Sequence, residues 1–114
     1  MFSNFLSRFA PGPDARAIDP EEFEQAVKAG KCVVVDVREA HEFANAHIPK
    51  SVNMPLSSFN PHGLPKDKPV VLICHSGMRS RSALSKAHAT GREDVKHYAG
   101  GIIGWHSRRG ALAR

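Results

Sequence analysis

The stretch VVLICHSGMRS, residues 70–80, decides the fold of this 114-residue chain. Its first four residues are aliphatic with no alternating polar side chains, a pattern typical of a strand buried on both faces of a parallel sheet. Gly77 interrupts the regular structure, and from Arg79 to about Thr90 apolar residues return at helical spacing. The sequence therefore predicts that a buried strand delivers Cys74 to a tight turn from which a helix begins.

Strands and helices are predicted to alternate on both sides of this stretch. The first helix is expected to begin after Asp19, a capping residue, and to end at Gly30. The remaining predicted elements are a strand at residues 33–37, a short helix at 39–46, brief strands near 52–54 and 95–98, and a final helix at 102–109. This alternation indicates an α/β fold, a single domain whose mainly parallel central sheet is flanked by helices on both faces.

The predicted domain extends over residues 16–114, and residues 1–15 are expected to be an N-terminal extension that is loose or a short amphipathic helix. A hydrophobic content of 41% with 24% charged residues is ordinary for a globular protein. No apolar run approaches the roughly 20 residues of a membrane span, and the N-terminus lacks the apolar core of a secretion signal. We therefore expect a cytoplasmic protein.

The net charge of +5 is unevenly distributed, because residues 66–114 carry ten Lys or Arg against three Asp or Glu. A basic half of this kind can indicate nucleic-acid binding. Its only Tyr or Trp residues, however, are Tyr98 and Trp105, and it contains no recognised nucleic-acid motif. A field that attracts small anions explains the charge more simply, and we expect no nucleic-acid partner.

Cys74 is predicted to be an activated thiolate nucleophile. The backbone N–H groups of a turn between a strand and a helix converge on one point and form an anion site. A cysteine at such a helix start, close to cationic side chains, has a lowered pKa. The predicted substrate-binding residues are His75, Ser76, Gly77, Met78 and Arg79.

Three groups of motifs stand out along the chain: DVRE (residues 36–39) with HIP (47–49) and NMPL (53–56), the loop CHSGMRS (74–80), and GGIIGW (100–105). In their order and spacing they resemble the motifs of the single-domain rhodaneses, which are thiosulfate or persulfide sulfurtransferases. The resemblance extends from about residue 16 to residue 107 and implies a rhodanese-like domain.

The resemblance implies a sulfurtransferase of the thiosulfate:cyanide type with a two-step mechanism. The Cys74 thiolate attacks the outer sulfur of thiosulfate or of a persulfide donor, and with thiosulfate sulfite leaves. A Cys74 persulfide remains, cradled by the backbone N–H groups of residues 75–79. Cyanide or a thiol then accepts the outer sulfur, and no cofactor is expected.

The resemblance also implies supporting roles for residues outside the loop. Arg38 and Glu42 are expected to form a structural ion pair, and Asp36 is expected to organise the site rather than to catalyse. The turn at residues 100–101 and Trp105 are expected to be architectural.

Two alternatives are left open by the residues. A cysteine-dependent phosphatase uses a similar cradle, but its loop places five residues between cysteine and arginine, whereas four separate Cys74 from Arg79. The loop also lacks an evident carboxylic acid to protonate a leaving alcohol. The second alternative is a non-catalytic relay or binding module that passes its persulfide to a partner protein, suggested by the basic segment of residues 79–114.

Cys32 and the seven histidines suggest no further chemistry. Cys32 precedes one predicted parallel strand and Cys74 follows another, so the two residues should lie at opposite edges of the sheet, too far apart for a disulfide. The pairs His41 and His47, and His97 and His106, lack a usual metal-ligand spacing. We therefore predict a core role for Cys32 and no bound metal.

Overall fold

Four parallel strands form the centre of the computed structural model, which describes residues 16–114. The predicted extension at residues 1–15 lies outside the described residues. The strands are β1 (Val33–Asp36), β2 (Val52–Asn53), β3 (Val70–Ile73) and β4 (Lys96–His97). They lie in the order β2-β1-β3-β4, and each neighbouring pair is parallel. The predicted parallel sheet is confirmed.

Helices pack on both faces of this sheet, as the alternation of elements predicts. The helices are α1 (Pro20–Ala29), α2 (Ala40–Asn45), α3 (Met78–Ala89) and α4 (Gly101–Ser107). One face packs against Phe23 of α1 and Trp105 of α4. The other face packs against α3 through Ala83, Leu84 and Ala87. Among residues 16–114 no helix has the length and apolar character required to cross a membrane.

The first helix has the boundaries that its capping residues predict. The Asp19 carboxylate accepts hydrogen bonds from the backbone N–H groups of Glu21 (3.1 Å) and Glu22 (3.3 Å), which have no partner within the helix. Gly30 ends the helix with φ 67°, a left-handed conformation that glycine adopts without steric cost.

The two central strands are buried on both faces, which explains the aliphatic runs at residues 33–35 and 70–73. Val35 and Leu72 contribute to the core beneath α3, whereas Val34 and Ile73 contribute to the core beneath α1 and α4. Successive side chains of a strand point to opposite faces, so a sheet covered on both faces favours apolar residues at consecutive positions.

The strand register also separates the two cysteines. Val33 pairs with Val70 and Asp36 pairs with Ile73, so Cys32 and Cys74 lie beyond opposite ends of the paired strands. Both cysteines are free thiols. Cys32 is partly buried and packs against the core beneath α1, and this burial raises the pKa of its thiol despite the opposing charge of Lys68.

A buried ion pair terminates β1 next to the predicted site. The fully buried Asp36 carboxylate accepts hydrogen bonds from the backbone N–H of Arg38 (3.0 Å) and from its guanidinium Nε (3.0 Å) and Nη2 (2.8 Å). Arg38 also donates to the carbonyl of Ala46 at 2.6 Å. The expected Arg38–Glu42 pair is therefore wrong. The Asp36 charge has no access to water and must be neutralised by the nearest cation, while Glu42 pairs with Arg79.

Asp36→Asn is expected to destabilise the fold by about 3–5 kcal/mol, because it leaves the Arg38 charge buried without its counter-ion. Asp94→Asn is the matched control, since Asp94 also pairs with an arginine but its side chain is 56% exposed. That change should cost about 1 kcal/mol or less. Urea denaturation measures the free energy of unfolding of both variants. Equally small decreases in the two would contradict the expected contribution of the buried pair.

Candidate active site

Cys74 lies where the sequence predicts it, between the end of β3 and the start of α3. We call residues 74–77 the cysteine loop. The helix begins at Met78 with Gly77 as its N-cap, so the Cys74 sulfur lies at a helix N-terminus. This position places backbone N–H groups and the positive end of the helix dipole next to the sulfur. The cysteine itself is only 1% exposed.

The sulfur of Cys74 is surrounded by hydrogen-bond donors. The backbone N–H of Gly77 donates to Sγ at 3.1 Å, and the Ser80 hydroxyl oxygen lies 3.6 Å from Sγ. Burial alone would raise the pKa of this thiol. Hydrogen bonds from the Ser80 hydroxyl and from the backbone N–H groups of Ser80, Gly77 and Ser76 outweigh burial, so the pKa is lowered. The lowered pKa favours the thiolate form of Cys74, and its predicted role as a nucleophile stays a prediction.

Two glycines allow the cysteine loop to press against the turn that follows β4. Gly77 has φ 105°, and a Cβ atom there would lie 2.4 Å from the carbonyl oxygen of Ala99. Gly101 has φ 64°, and a Cβ atom there would lie 2.2 Å from the carbonyl oxygen of His75. Any side chain at either position would force the two backbone segments apart.

This contact also orients the peptide groups of the loop. The backbone N–H groups of Ile102 and Ile103 bind the carbonyls of Cys74 (2.9 Å) and His75 (3.2 Å). In a trans peptide the C=O and N–H groups point in opposite directions. The His75 carbonyl is held by α4, and the N–H group of Ser76 on the opposite side of the same peptide is a hydrogen-bond donor to the Cys74 sulfur. The expected architectural role of the turn at residues 100–101 is in agreement with this geometry.

Arg79 is bound by a carboxylate in this structure. Its Nη1 and Nη2 atoms donate to the two oxygens of Glu42 at 2.6 and 3.0 Å. The hydrogen bond from Arg79 is the main reason why the pKa of Glu42 is lowered to about 2. Glu42 also accepts from the backbone N–H of Glu39 at the start of α2. The predicted grip of Arg79 on a bound anion stays a prediction, and it would require Arg79 to exchange or share this partner.

The remaining predicted loop residues form the outer rim. His75, Ser76 and Met78 are exposed, and Met78 is 82% exposed. A cavity of about 210 Å³ lies at this rim, lined by Ser76, Gly77, Met78, Arg81 and Ala99. A larger cavity of about 300 Å³ is lined by Cys32 and by residues near the start of β3, at the opposite edge of the sheet, and does not reach Cys74.

Three residues of this site are absent from the set predicted to bind substrate. Ser80 contacts the sulfur, Glu42 holds Arg79, and His97 of β4 lies with Nδ1 2.9 Å from the Ser80 hydroxyl oxygen. His97 is fully buried. The signal available in the sequence was a histidine between Val95 and Tyr98, at a strand position where a buried apolar residue is expected.

Gly77→Ala is expected to destabilise the fold more than Gly91→Ala. Both glycines have strongly positive φ, 105° and 91°, so each alanine costs about 1–2 kcal/mol of backbone strain. Only at Gly77 would the new Cβ meet a backbone oxygen, whereas nothing lies within 4 Å of it at Gly91. Urea denaturation and the rate of Cys74 alkylation test this, and equal effects of the two variants would contradict it.

Removing the Glu42 charge should reduce stability in a pH-dependent manner. The pKa of about 2 in the folded state lies below the roughly 4.3 of an unfolded glutamate. The ion pair therefore stabilises the fold above about pH 4.3, and its contribution is lost as the pH falls toward 2. Because both side chains are partly exposed, Glu42→Gln should cost about 1 kcal/mol or less at pH 7.

Urea denaturation of the wild type and Glu42→Gln at pH 7, 4 and 3 measures this difference, which should shrink as the pH falls. Glu93→Gln, at an exposed position, should match the wild type at each pH. A Glu42→Gln difference that is constant across this range would contradict the assignment.

Comparison with known proteins places this geometry in a family. The family model described as a rhodanese-like domain matches residues 19–108. The chain is 36% identical over 90 residues, 77% of its length and 85% of the relative's, to a protein named thiosulfate sulfurtransferase GlpE from Pseudomonas savastanoi. It is 34% identical over 93 residues to a Mycobacterium tuberculosis protein named probable adenylyltransferase/sulfurtransferase MoeZ. The chain spans from about a quarter to about half the length of the first curated relatives that it matches.

A solved structure agrees with the family assignment. A rhodanese-related protein from Thermoplasma volcanium superimposes with a TM-score of 0.77 and 28% sequence identity, over 86% of this chain and 97% of that one. The residues that the family model matches, 19–108, contain the cysteine loop of this chain. The chain belongs to the rhodanese-like domain family.

Proposed function

We propose that the chain is a sulfurtransferase that moves a sulfane sulfur from thiosulfate or a persulfide donor to a thiol or cyanide, through a persulfide on Cys74. The observation that carries this proposal is the Cys74 sulfur at the start of α3, 3.1 Å from the N–H of Gly77 and with a lowered pKa. The relative named thiosulfate sulfurtransferase supports the choice of thiosulfate as donor.

In the first step the Cys74 thiolate attacks the outer sulfur of thiosulfate. The new bond joins Sγ to that sulfur, while the sulfur–sulfur bond of thiosulfate breaks and sulfite leaves with its electron pair. The product is a Cys74 persulfide anion. The N–H donors that stabilise the thiolate lie next to the position of the persulfide. The exposed His75 and Ser76 lie on the solvent side of the cysteine loop.

In the second step an acceptor attacks the outer sulfur of the persulfide. Cyanide leaves as thiocyanate, or a thiol leaves as a persulfide after losing its proton, and the Cys74 thiolate is regenerated. Both steps transfer one neutral sulfur atom and leave a charged sulfur at Cys74. A cradle of fixed N–H donors therefore serves both steps without rearrangement. A cytoplasmic location, where thiols remain reduced, belongs to the same proposal.

A phosphatase reaction is less well supported by the same site. Such an enzyme needs a carboxylic acid to protonate the leaving alcohol. The carboxylates of Asp36 and Glu42 are already engaged, Asp36 with Arg38 and Glu42 with Arg79. The four-residue spacing from Cys74 to Arg79 also argues for the smaller sulfur atom.

A relay to a partner protein is the second candidate function. Met78 and Ile103 are exposed apolar side chains, 82% and 52% exposed, on the cysteine-loop side of the fold. A relative of this chain is named as an adenylyltransferase/sulfurtransferase, which supports a sulfur-relay context. If a persulfidated protein loads Cys74 quickly while free thiosulfate loads it poorly, the relay becomes the better description.

Cys74→Ser should abolish thiocyanate formation from thiosulfate and cyanide, because serine provides no thiolate. Intact-mass spectrometry of the wild type after incubation with thiosulfate should reveal a gain of about 32 Da, the mass of one sulfur atom, which is absent from Cys74→Ser. Cys32→Ser is the control, because that thiol lies at the opposite edge of the sheet. Phosphate release from aryl phosphates without thiocyanate would overturn the proposal.

A further inference from the structure

The Ser80 hydroxyl has more neighbours than its single proton can serve. Its oxygen lies 3.6 Å from the Cys74 sulfur, 3.2 Å from the carbonyl oxygen of Gly77 and 2.9 Å from Nδ1 of His97. Ser80 and His97 are both fully buried. A serine hydroxyl donates once and accepts twice, so the direction of each of these contacts depends on the others.

The protonation of His97 Nδ1 decides where the Ser80 proton goes. If Nδ1 is bare, it accepts the Ser80 proton, and the hydroxyl has nothing left to donate to Cys74. If Nδ1 carries a proton, it donates to the Ser80 oxygen. The Ser80 proton is then free to bind either the Gly77 carbonyl or the Cys74 sulfur.

With Nδ1 protonated, the Ser80 hydroxyl can form hydrogen bonds with Cys74 both as a thiol and as a thiolate. A Cys74 thiol donates to the Ser80 oxygen, and the Ser80 proton turns to the Gly77 carbonyl. When Cys74 becomes a thiolate, the same proton turns to the sulfur and supplies one more hydrogen bond. A hydrogen bond to the charged form of an acid lowers its pKa.

We propose that His97 is a positioning residue for the sulfur-transfer site: its Nδ1–H donates to Ser80, which keeps the Ser80 hydroxyl proton available to the Cys74 thiolate. The proposal rests on the proposed function only for the identity of the reaction that the thiolate performs. His97 does not contact the sulfur and acts through Ser80.

The fold holds His97 in place for this role. Its strand position pairs with Leu72, which belongs to the core beneath α3. Its backbone is fixed on the outer side by hydrogen bonds with Arg16 (3.3 Å) and Ile18 (2.9 Å). The ring is therefore anchored on the sheet, while Ser80 is anchored on the first turn of α3.

Other charged groups also surround Cys74 and are left unchanged in the test below. They are the pair of Arg79 and Glu42, the exposed His75 next in sequence, and the buried pair of Asp36 and Arg38. Arg79 interacts electrostatically with Cys74. Because the variants leave these charges unchanged, the differences between their Cys74 pKa values measure the contribution of the hydrogen bonds.

The first test is a double-mutant cycle on the pKa of Cys74, read from the pH dependence of iodoacetamide alkylation in a Cys32→Ser background. Ser80→Ala should raise that pKa by roughly half to one pKa unit, about three- to tenfold in thiolate fraction below the pKa, because it removes the hydroxyl donor. His97→Leu should raise it by a smaller amount, because the Ser80 hydroxyl keeps its proton but loses the donor that orients and polarises it. The combined variant should shift it no further than Ser80→Ala alone. Additive shifts, or no shift in His97→Leu, would overturn the proposal.

Two further variants separate positioning from packing. His97→Asn keeps a donor near the position of Nδ1 and should restore a pKa closer to that of the wild type. His88→Leu removes a histidine from the same α3–β4 interface, where Nε2 lies 2.9 Å from the Val95 carbonyl oxygen. His88→Leu should leave the Cys74 pKa unchanged. A shift as large as that of His97→Leu would show that both variants act by disturbing the packing of α3 on β4.

The second test needs no variant and so does not depend on folding. Nitrogen-15 NMR of the imidazole should find His97 with a protonated Nδ1 at pH values above the Cys74 pKa. A bare Nδ1 under those conditions would overturn the proposal. Neither test uses a sulfur donor, so failure of persulfide formation would refute the proposed function while leaving these two results to decide the role of His97.

Discussion

The close contact between the cysteine loop and the turn after β4 is the constraint on which the site depends. Gly77 and Gly101 lack side chains at points where a Cβ atom would lie within about 2.5 Å of a facing carbonyl oxygen. That proximity lets the backbone N–H groups of Ile102 and Ile103 hold the loop carbonyls. With those carbonyls held, the N–H groups of Ser76 and Gly77 are hydrogen-bond donors to the Cys74 sulfur. The glycines are thus required by the electrostatics of the site as well as by its shape.

The sheet makes this contact possible by placing β4 beside β3. Residues far apart in sequence, Cys74 at the end of β3 and Gly101 after β4, therefore meet at one edge of the sheet. The carboxyl ends of parallel strands meet at the same edge, which is where ligands bind in open α/β sheets. The same edge receives the Asp36–Arg38 pair at the end of β1, in which each buried charge compensates the other.

The sequence predicted the features that depend on local pattern. The aliphatic run before Cys74 predicted a buried strand, and Gly77 predicted the start of a helix, because burial and backbone conformation leave direct traces in residue type. Side-chain partners depend on distances between elements, which spacing does not encode. Thus Arg38 was expected to pair with Glu42, but Glu42 lies across from Arg79 and Arg38 folds back onto Asp36. His97 could not be predicted as a site residue either, because its contact with Ser80 depends on the packing of α3 on β4.

The lowered pKa of Cys74 follows from a balance that no single element provides. Burial at 1% exposure raises the pKa of the thiol, and the pKa is lowered only because hydrogen-bond donors replace the water that burial removes. The cysteine loop supplies the N–H groups of Ser76 and Gly77, and α3 supplies both donors of Ser80. The Ser80 hydroxyl in turn faces His97 of β4. Because the loop, the helix and the strand all contribute, the acidity of the Cys74 thiol depends on how the three pack together.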